Sequence, residues 1–179
     1  MKKYIILIIV LILLIIIACG AFVFWKYIIP KKESTYSIIN SYDNSFSIEV
    51  DNVFEFAKQS SSDDYDLVLK SETYNSEIYV SSFGSSRVRS IEDVLKSDKE
   101  DFSSKFQAIT NLSEFSTFDV SGNKVYEYHF TSSNRYIQNY YIVLENKVYV
   151  FDFDIDKNND YEYSLEDYTE EIIKSFKVL

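Results

Sequence analysis

Hydrophobic positions along this chain follow three patterns. The first is a continuous run: the 22 residues Tyr4–Trp25 carry no charge and are nearly all apolar. As a helix rising about 1.5 Å per residue they extend roughly 33 Å, enough for a hydrocarbon core of about 30 Å. The second is alternation, as in Phe46, Ile48 and Val50 against Ser45, Ser47 and Glu49, the mark of a strand with one buried face. The third is a spacing of three and four residues over Ser90–Ile109 and Ser164–Phe176, which predicts two amphipathic helices.

Taken in order, Ser37–Asn40 and Phe46–Val50 read as short strands around a Ser41–Ser45 turn. Lys58–Asp64 reads as a loop, and Asp66–Ser71 with Ile78–Phe83 as a hairpin. In the first helix Ile91, Val94, Leu95, Phe102, Phe106 and Ile109 share one face. Ser90 can cap it, with Asp93 at the capping-box position. Three or four strands follow, at Glu114–Val120, Lys124–Thr131, Arg135–Leu144 and Lys147–Ile155, with turns at Ser121–Asn123 and Glu145–Asn146. Tyr126, Tyr128 and Phe130 alternate with Glu127 and His129; Tyr149, Phe151, Phe153 and Ile155 alternate with Val150, Asp152 and Asp154. The closing helix has Ser164 as cap and a buried stripe of Leu165, Tyr168, Ile172, Ile173 and Phe176. The expected fold class is α+β: an antiparallel sheet with two amphipathic helices packed on it, preceded by one N-terminal transmembrane helix. The expected divisions are an anchor over 1–29, a linker over 30–35 (PKKEST) and a domain over 36–179.

Lys2 and Lys3 precede the apolar run, and Trp25, Lys26 and Tyr27 follow it, as interface-seeking residues do. A cleaved signal peptide has an apolar core of about 7–15 residues, shorter than this one. Ile16-Ile17-Ala18-Cys19 resembles a lipobox, in which Cys19 would carry the lipid. Lipoproteins turn polar directly after that cysteine, whereas Gly20–Trp25 stays apolar. The reading is therefore an uncleaved signal anchor, with a lipoprotein anchored at Cys19 as the alternative. Lysines flank both ends of the run, so charge does not settle orientation. The short N-terminal tail favours a single-pass cell-membrane protein whose C-terminal domain is extracytoplasmic.

Charge narrows the partners. Of 18 Lys and Arg, five (Lys2, Lys3, Lys26, Lys31, Lys32) precede Glu33, so 13 face all 28 Asp and Glu in the remainder, a formal charge near −15. That surface repels nucleic acid and anionic headgroups. The one cysteine, Cys19, lies in the apolar run, so the domain has no disulfide and no thiolate site. Its stability rests on its core, for which 16 Tyr and 14 Phe are available.

Candidate chemistry is sparse. Asp154, Asp156, Asn158 and Asp160 have the odd spacing by which a calcium loop presents oxygens. Asn159 stands where such a loop needs glycine, and Leu165 where it needs the bidentate glutamate. The simpler reading is a solvated loop with acids near a helix N-terminus. His129 is the only histidine, with no second His or Cys beyond the anchor to complete a zinc site or nucleophile pair. No G-x-S-x-G setting surrounds any serine, and no glycine-rich loop is present for a phosphate. No catalytic residue and no cofactor is assigned; calcium is the one ligand with any support. Asp63-Asp64-Tyr65-Asp66 reads as a loop tip. Tyr136, Tyr140, Tyr141, Tyr161, Tyr163 and Tyr168 read as core and sheet surface, with a tyrosine-rich binding face as the alternative.

SYDNSFSIEVDNVFEF near the start, a SxEDV-type helix, the SGNKVYEYHF strand and the closing EEIIKSFKVL together resemble the PsbP-like superfamily over Tyr36–Leu179. That superfamily includes the extrinsic oxygen-evolving-complex protein and many bacterial membrane-tethered domains. It has no shared catalytic residues, so the resemblance implies a binding or assembly role at a membrane surface. The expected function is a membrane-anchored extracytoplasmic binding or accessory module, non-enzymatic, acting on a neighbouring membrane or envelope protein. A small-ligand or calcium-binding domain is the second reading and a hydrolase the third.

Overall fold

The computed structural model describes residues 36–57, 65–84, 91–158 and 165–179. The expected anchor, lipobox and linker lie outside the described residues, as do the loop Lys58–Asp64, the caps Ser90 and Ser164, and Asp160, Tyr161 and Tyr163. Among the described residues no helix is long and apolar enough to cross a membrane.

The unit Tyr36–Leu179 contains two antiparallel sheets. The smaller has the order β1 (Tyr36–Asn40), β2 (Phe46–Asp51) and β11 (Lys177–Val178). The larger runs β3 (Glu55–Phe56), β4 (Leu67–Ser71), β5 (Ser76–Gly84), β10 (Lys147–Asp156), β9 (Arg135–Val143), β8 (Asn123–Ser132) and β6 (Ile109–Thr110), with β7 (Ser116–Val120) also paired to β8. Among the described residues two helices complete the unit, α1 (Ile91–Ser103) and α2 (Leu165–Lys174).

Strand alternation divides the core between the two faces of the large sheet. On one face Tyr140, Ile142, Tyr149, Phe151, Phe153 and Ile155 pack with Phe46, Ile48 and Val50 of the small sheet and with Tyr168, Ile172 and Ile173 of α2. On the other, Tyr126, Tyr128, Phe130, Ile137, Tyr141, Val148 and Val150 pack with Leu95, Ile91 and Phe102 of α1. The expected α+β class and its two sheet-packed helices stand. The expectation of one sheet does not: β1 and β2 form a separate sheet in which β2 also pairs with the C-terminal strand β11, bringing the two ends of the domain together.

Element ends differ from the sequence pattern where serines intervene. The first helix stops at Ser103, not Ile109. Ser103 and Ser104 return their hydroxyls to the carbonyls of Glu100 and Asp101, the backbone competition that ends helices. Ala108 at φ 53° then turns the chain so that Ile109 and Thr110 pair with Ser132 and Thr131. The last helix stops at Lys174. Ser175 donates to the Ile172 carbonyl at 2.6 Å and accepts the Glu49 N–H at 2.7 Å, and Phe176 drops into the core beyond it. The Ser121-Gly122 turn between β7 and β8 has both residues at positive φ, 52° and 82°, the two-residue hairpin geometry that favours glycine.

Candidate functional site

Adjacent residues of β9 tie a helix to each face of the large sheet. The Tyr140 hydroxyl meets Thr169 Oγ1 of α2 at 2.8 Å, and the Tyr141 hydroxyl donates to Asp98 of α1. Burial pushes both phenols above the usual tyrosine range, so both stay protonated. Tyr126 adds a bond to Glu92 of α1 at 3.0 Å.

Beneath α1 the apolar face gives way to a polar row. Cross-strand pairing sets Tyr128 beside Asn139 and Asn139 beside Asp152, from β8 to β10. Asn139 Nδ2 donates to Asp152 Oδ1 at 2.7 Å. Burial pushes the Asp152 carboxyl up to about 7; Asp98 adds to the push and Lys105 opposes it. Asn139 Oδ1, on a residue 1 % exposed, has no hydrogen-bond partner, while the buried Tyr128 hydroxyl lies against that of Tyr141. Lys99 lies over the Phe115 and Tyr128 rings, 5.1 and 5.5 Å from their centroids, and its ammonium donates to the Ser113 carbonyl.

A second feature lies on the opposite side of the sheet. A cleft of about 430 Å³ opens between the small sheet and α2, lined by Tyr36, Glu49, Asp167, Tyr168, Glu171, Ile172 and Ser175. Ile38, directly across from Glu49 in the β1–β2 register, is 72 % exposed. Lys174 pairs with Glu170 and with the cleft-lining Glu171.

The residues singled out from sequence fall elsewhere. Asp154 Oδ1 pairs with Arg135 Nε at 2.5 Å, and Arg135 also donates to the Asn75 and Asp154 carbonyls. Asp156 is buried, accepting from Asn75 Nδ2 at 2.8 Å and from the Asn158 backbone at 2.9 Å. Those bonds hold its carboxyl below the usual range. Among the described residues no group of three or more His, Cys, Asp and Glu is placed to hold a metal ion. His129 is half-buried and stacks on Tyr136 at 5.7 Å. Tyr140 and Tyr141 are in the core, as the simpler reading had them, and Tyr168, also buried, contributes to the wall of the cleft.

Asp98 and Asp152 were not singled out from sequence. One signal was present: Asp98 interrupts the stripe Ile91, Leu95, Phe102, Phe106 at the position where an apolar residue is due.

No protein-family model matches the chain, and no curated protein matches it. Among solved structures it resembles the solution structure of cyanobacterial PsbP from Synechocystis sp. PCC 6803. The TM-score is 0.60 at 12 % identity, over 82 % of this chain and 94 % of that one. A crystal structure from Bacteroides thetaiotaomicron VPI-5482 matches at a TM-score of 0.40 and 12 % identity, over 79 % of this chain and 48 % of that one. With two sheets, two helices and near-complete coverage of the cyanobacterial protein, the unit Tyr36–Leu179 has the PsbP-like fold.

Proposed function

We propose that this chain is a membrane-anchored, non-enzymatic binding module that holds a segment of a neighbouring membrane or envelope protein outside the cytoplasm. The observation that carries this reading is the cleft beside β1. Its volume of about 430 Å³ falls in the range of binding pockets. Three carboxylates line it (Glu49, Asp167, Glu171) beside the exposed apolar Ile38 and the rings of Tyr36 and Tyr168. Such a surface suits a partner segment with basic and apolar side chains. The uncharged run Tyr4–Trp25 supports tethering, which raises the local concentration of any partner in the same membrane.

A photo-crosslinking residue at Ile38 in the full chain, in cells, tests the reading. The expected result is a discrete adduct with a membrane or envelope protein. Glu49→Lys with Glu171→Lys abolishes it while leaving the amount of folded chain unchanged. Adducts insensitive to those reversals, or none, refute it.

A further inference from the structure

The outermost strand of a sheet leaves a row of backbone groups unpaired, and proteins blunt such edges by keeping them short or charged. Among the described residues most edges here follow that rule. β3, β6 and β11 are two residues long, and β7 carries Asp119. β1 does not follow it. Its sequence Tyr-Ser-Ile-Ile-Asn has no charge and no proline, and among the described residues it pairs with β2 alone. The Ser41 N–H donates to the Phe46 carbonyl, which sets the phase of that ladder. Alternation from Ser41 turns the N–H and C=O of Ile39 and Ser37 to β2, and those of Asn40, Ile38 and Tyr36 to the open edge. The Glu49 N–H agrees: directly across from Ile38, it points away from β1 to Ser175 Oγ at 2.7 Å.

The side chains at this edge say what fits it. Ile38 is 72 % exposed and stands across from Glu49, which is exposed and has no ion-pair partner among the described residues. A residue added antiparallel and directly opposite Ile38 lies about 5.5 Å from it, with Glu49 about 4.5 Å beyond on the far side. Its side chain shares the Ile38 face and has about 10 Å to cross to Glu49. Lysine and arginine suit that span: the apolar stem covers Ile38 and the charged head meets the carboxylate. An acidic side chain there faces Glu49 with like charge. On the other face the flanking residues are Ser37, half-buried, and Ile39, buried, so apolar side chains extend the core. We propose that the open edge of β1 accepts an extended segment of the partner as an added antiparallel strand of the small sheet, alternating basic residues over Ile38 with apolar residues beside Ile39. This inference rests on the partner-binding reading and states how the partner is held. Backbone pairing supplies affinity, and the alternation selects the segment.

The probe is the peptide acetyl-Val-Lys-Val-Lys-Val-Lys-Val-amide carrying a fluorophore, titrated by anisotropy against the full chain in mild detergent. In the proposed register its lysine N–H groups point at β1 and its valine N–H groups point away. N-methylation of the lysines therefore weakens binding about tenfold or more, and N-methylation of the valines less than about threefold, at identical charge. Ile38→Pro removes an outward N–H and no bond to β2, so it weakens the peptide about tenfold while the thermal midpoint stays within about 2 °C. Glu49→Gln lowers affinity about threefold. The N-methyl comparison uses the unaltered chain, so it decides even if Ile38→Pro fails to fold. Equal losses from the two N-methylated peptides overturn the added strand. If binding then still falls with Glu49→Lys and Glu171→Lys, the cleft reading survives without it. No binding of the unmodified peptide also overturns the proposal. So does a full chain that sediments as a dimer and becomes monomeric in Ile38→Pro, because a second copy then fills the edge.

Discussion

Tyr140 and Tyr141 sit next to each other on β9 and face opposite sides of the sheet, so removing either hydroxyl loosens one helix and spares the other. Phenylalanine at either position keeps the ring and deletes one bond. Thr169 Oγ1 still donates to the Glu166 carbonyl at 3.0 Å when its bond to Tyr140 is gone. The loss there is one ordinary hydrogen bond, about 1 kcal/mol. The Tyr141 hydroxyl instead donates to a carboxyl group, and bonds to charged groups contribute about 1.5–3 kcal/mol. Asp98 is exposed and regains water on release, which places the loss near the lower end, about 1.5 kcal/mol. Hydrogen exchange reads such losses locally, since opening free energies differ between segments. Tyr141→Phe is expected to speed amide exchange about tenfold in Ile91–Ser103 and to leave Leu165–Lys174 unchanged. Tyr140→Phe is expected to do the reverse, by about fivefold. If either variant loosens both helices equally, the unit opens as a whole and the idea of two separate clamps is wrong.

Two further outcomes follow from the core. The Asp152 carboxyl stands at about 7 in the fold and returns to about 4 in the unfolded chain, so between those values the native state holds a proton that the unfolded chain has released. Stability therefore falls as pH rises from about 4 to about 7, by up to about 1.4 kcal/mol per pH unit. Thermal midpoints against pH should show that fall and its flattening in Asp152→Asn; a slope the variant leaves untouched refutes the assignment. Phe46, fully buried, packs its ring 5.2, 6.1 and 5.6 Å from Tyr149, Phe151 and Phe176, joining the small sheet to the large one. Phe46→Ala should cost about 3–5 kcal/mol, and a midpoint lowered by less than about 2 °C would show that this junction does not hold the sheets together.

The secondary structure was legible wherever one face of an element is dry. The meander from β7 to β10 appears in the sequence because its alternation is regular and its turns carry glycine or asparagine. The three short strands β3, β6 and β11 were invisible for a simple reason. Each is two residues long, too short to show any period, and exists only because a longer neighbour offers it a ladder. The split into two sheets was hidden in the same way. Phe46, Ile48 and Val50 look alike whether they cover a sheet from above or belong to it. What removes them is β11, whose residues Lys177 and Val178 carry no strand signal.

The polar row under α1 was hidden by an assumption about faces. An antiparallel sheet often keeps one side wet, and alternation alone puts Val150, Asp152 and Asp154 on the side opposite Tyr149, Phe151 and Phe153. Here α1 covers part of that outward side, and cover changes the meaning of each position by turn. Val150 becomes core, Asp152 is half-buried against Asn139, and Asp154 remains near solvent with Arg135. No single strand announces this, because which strands lie beneath a helix is decided by topology. The helix does announce it. Asp98 stands in an apolar stripe at the rim of the helix, where its carboxylate takes the Tyr141 hydroxyl of the strand opposite. Asn139, buried between Ile137 and Tyr141 on the strand face beneath α1, is the polar break on the facing sheet. The two breaks mark the layer where helix and sheet meet through hydrogen bonds, Asp98 taking the Tyr141 hydroxyl and Asp152 the Asn139 amide.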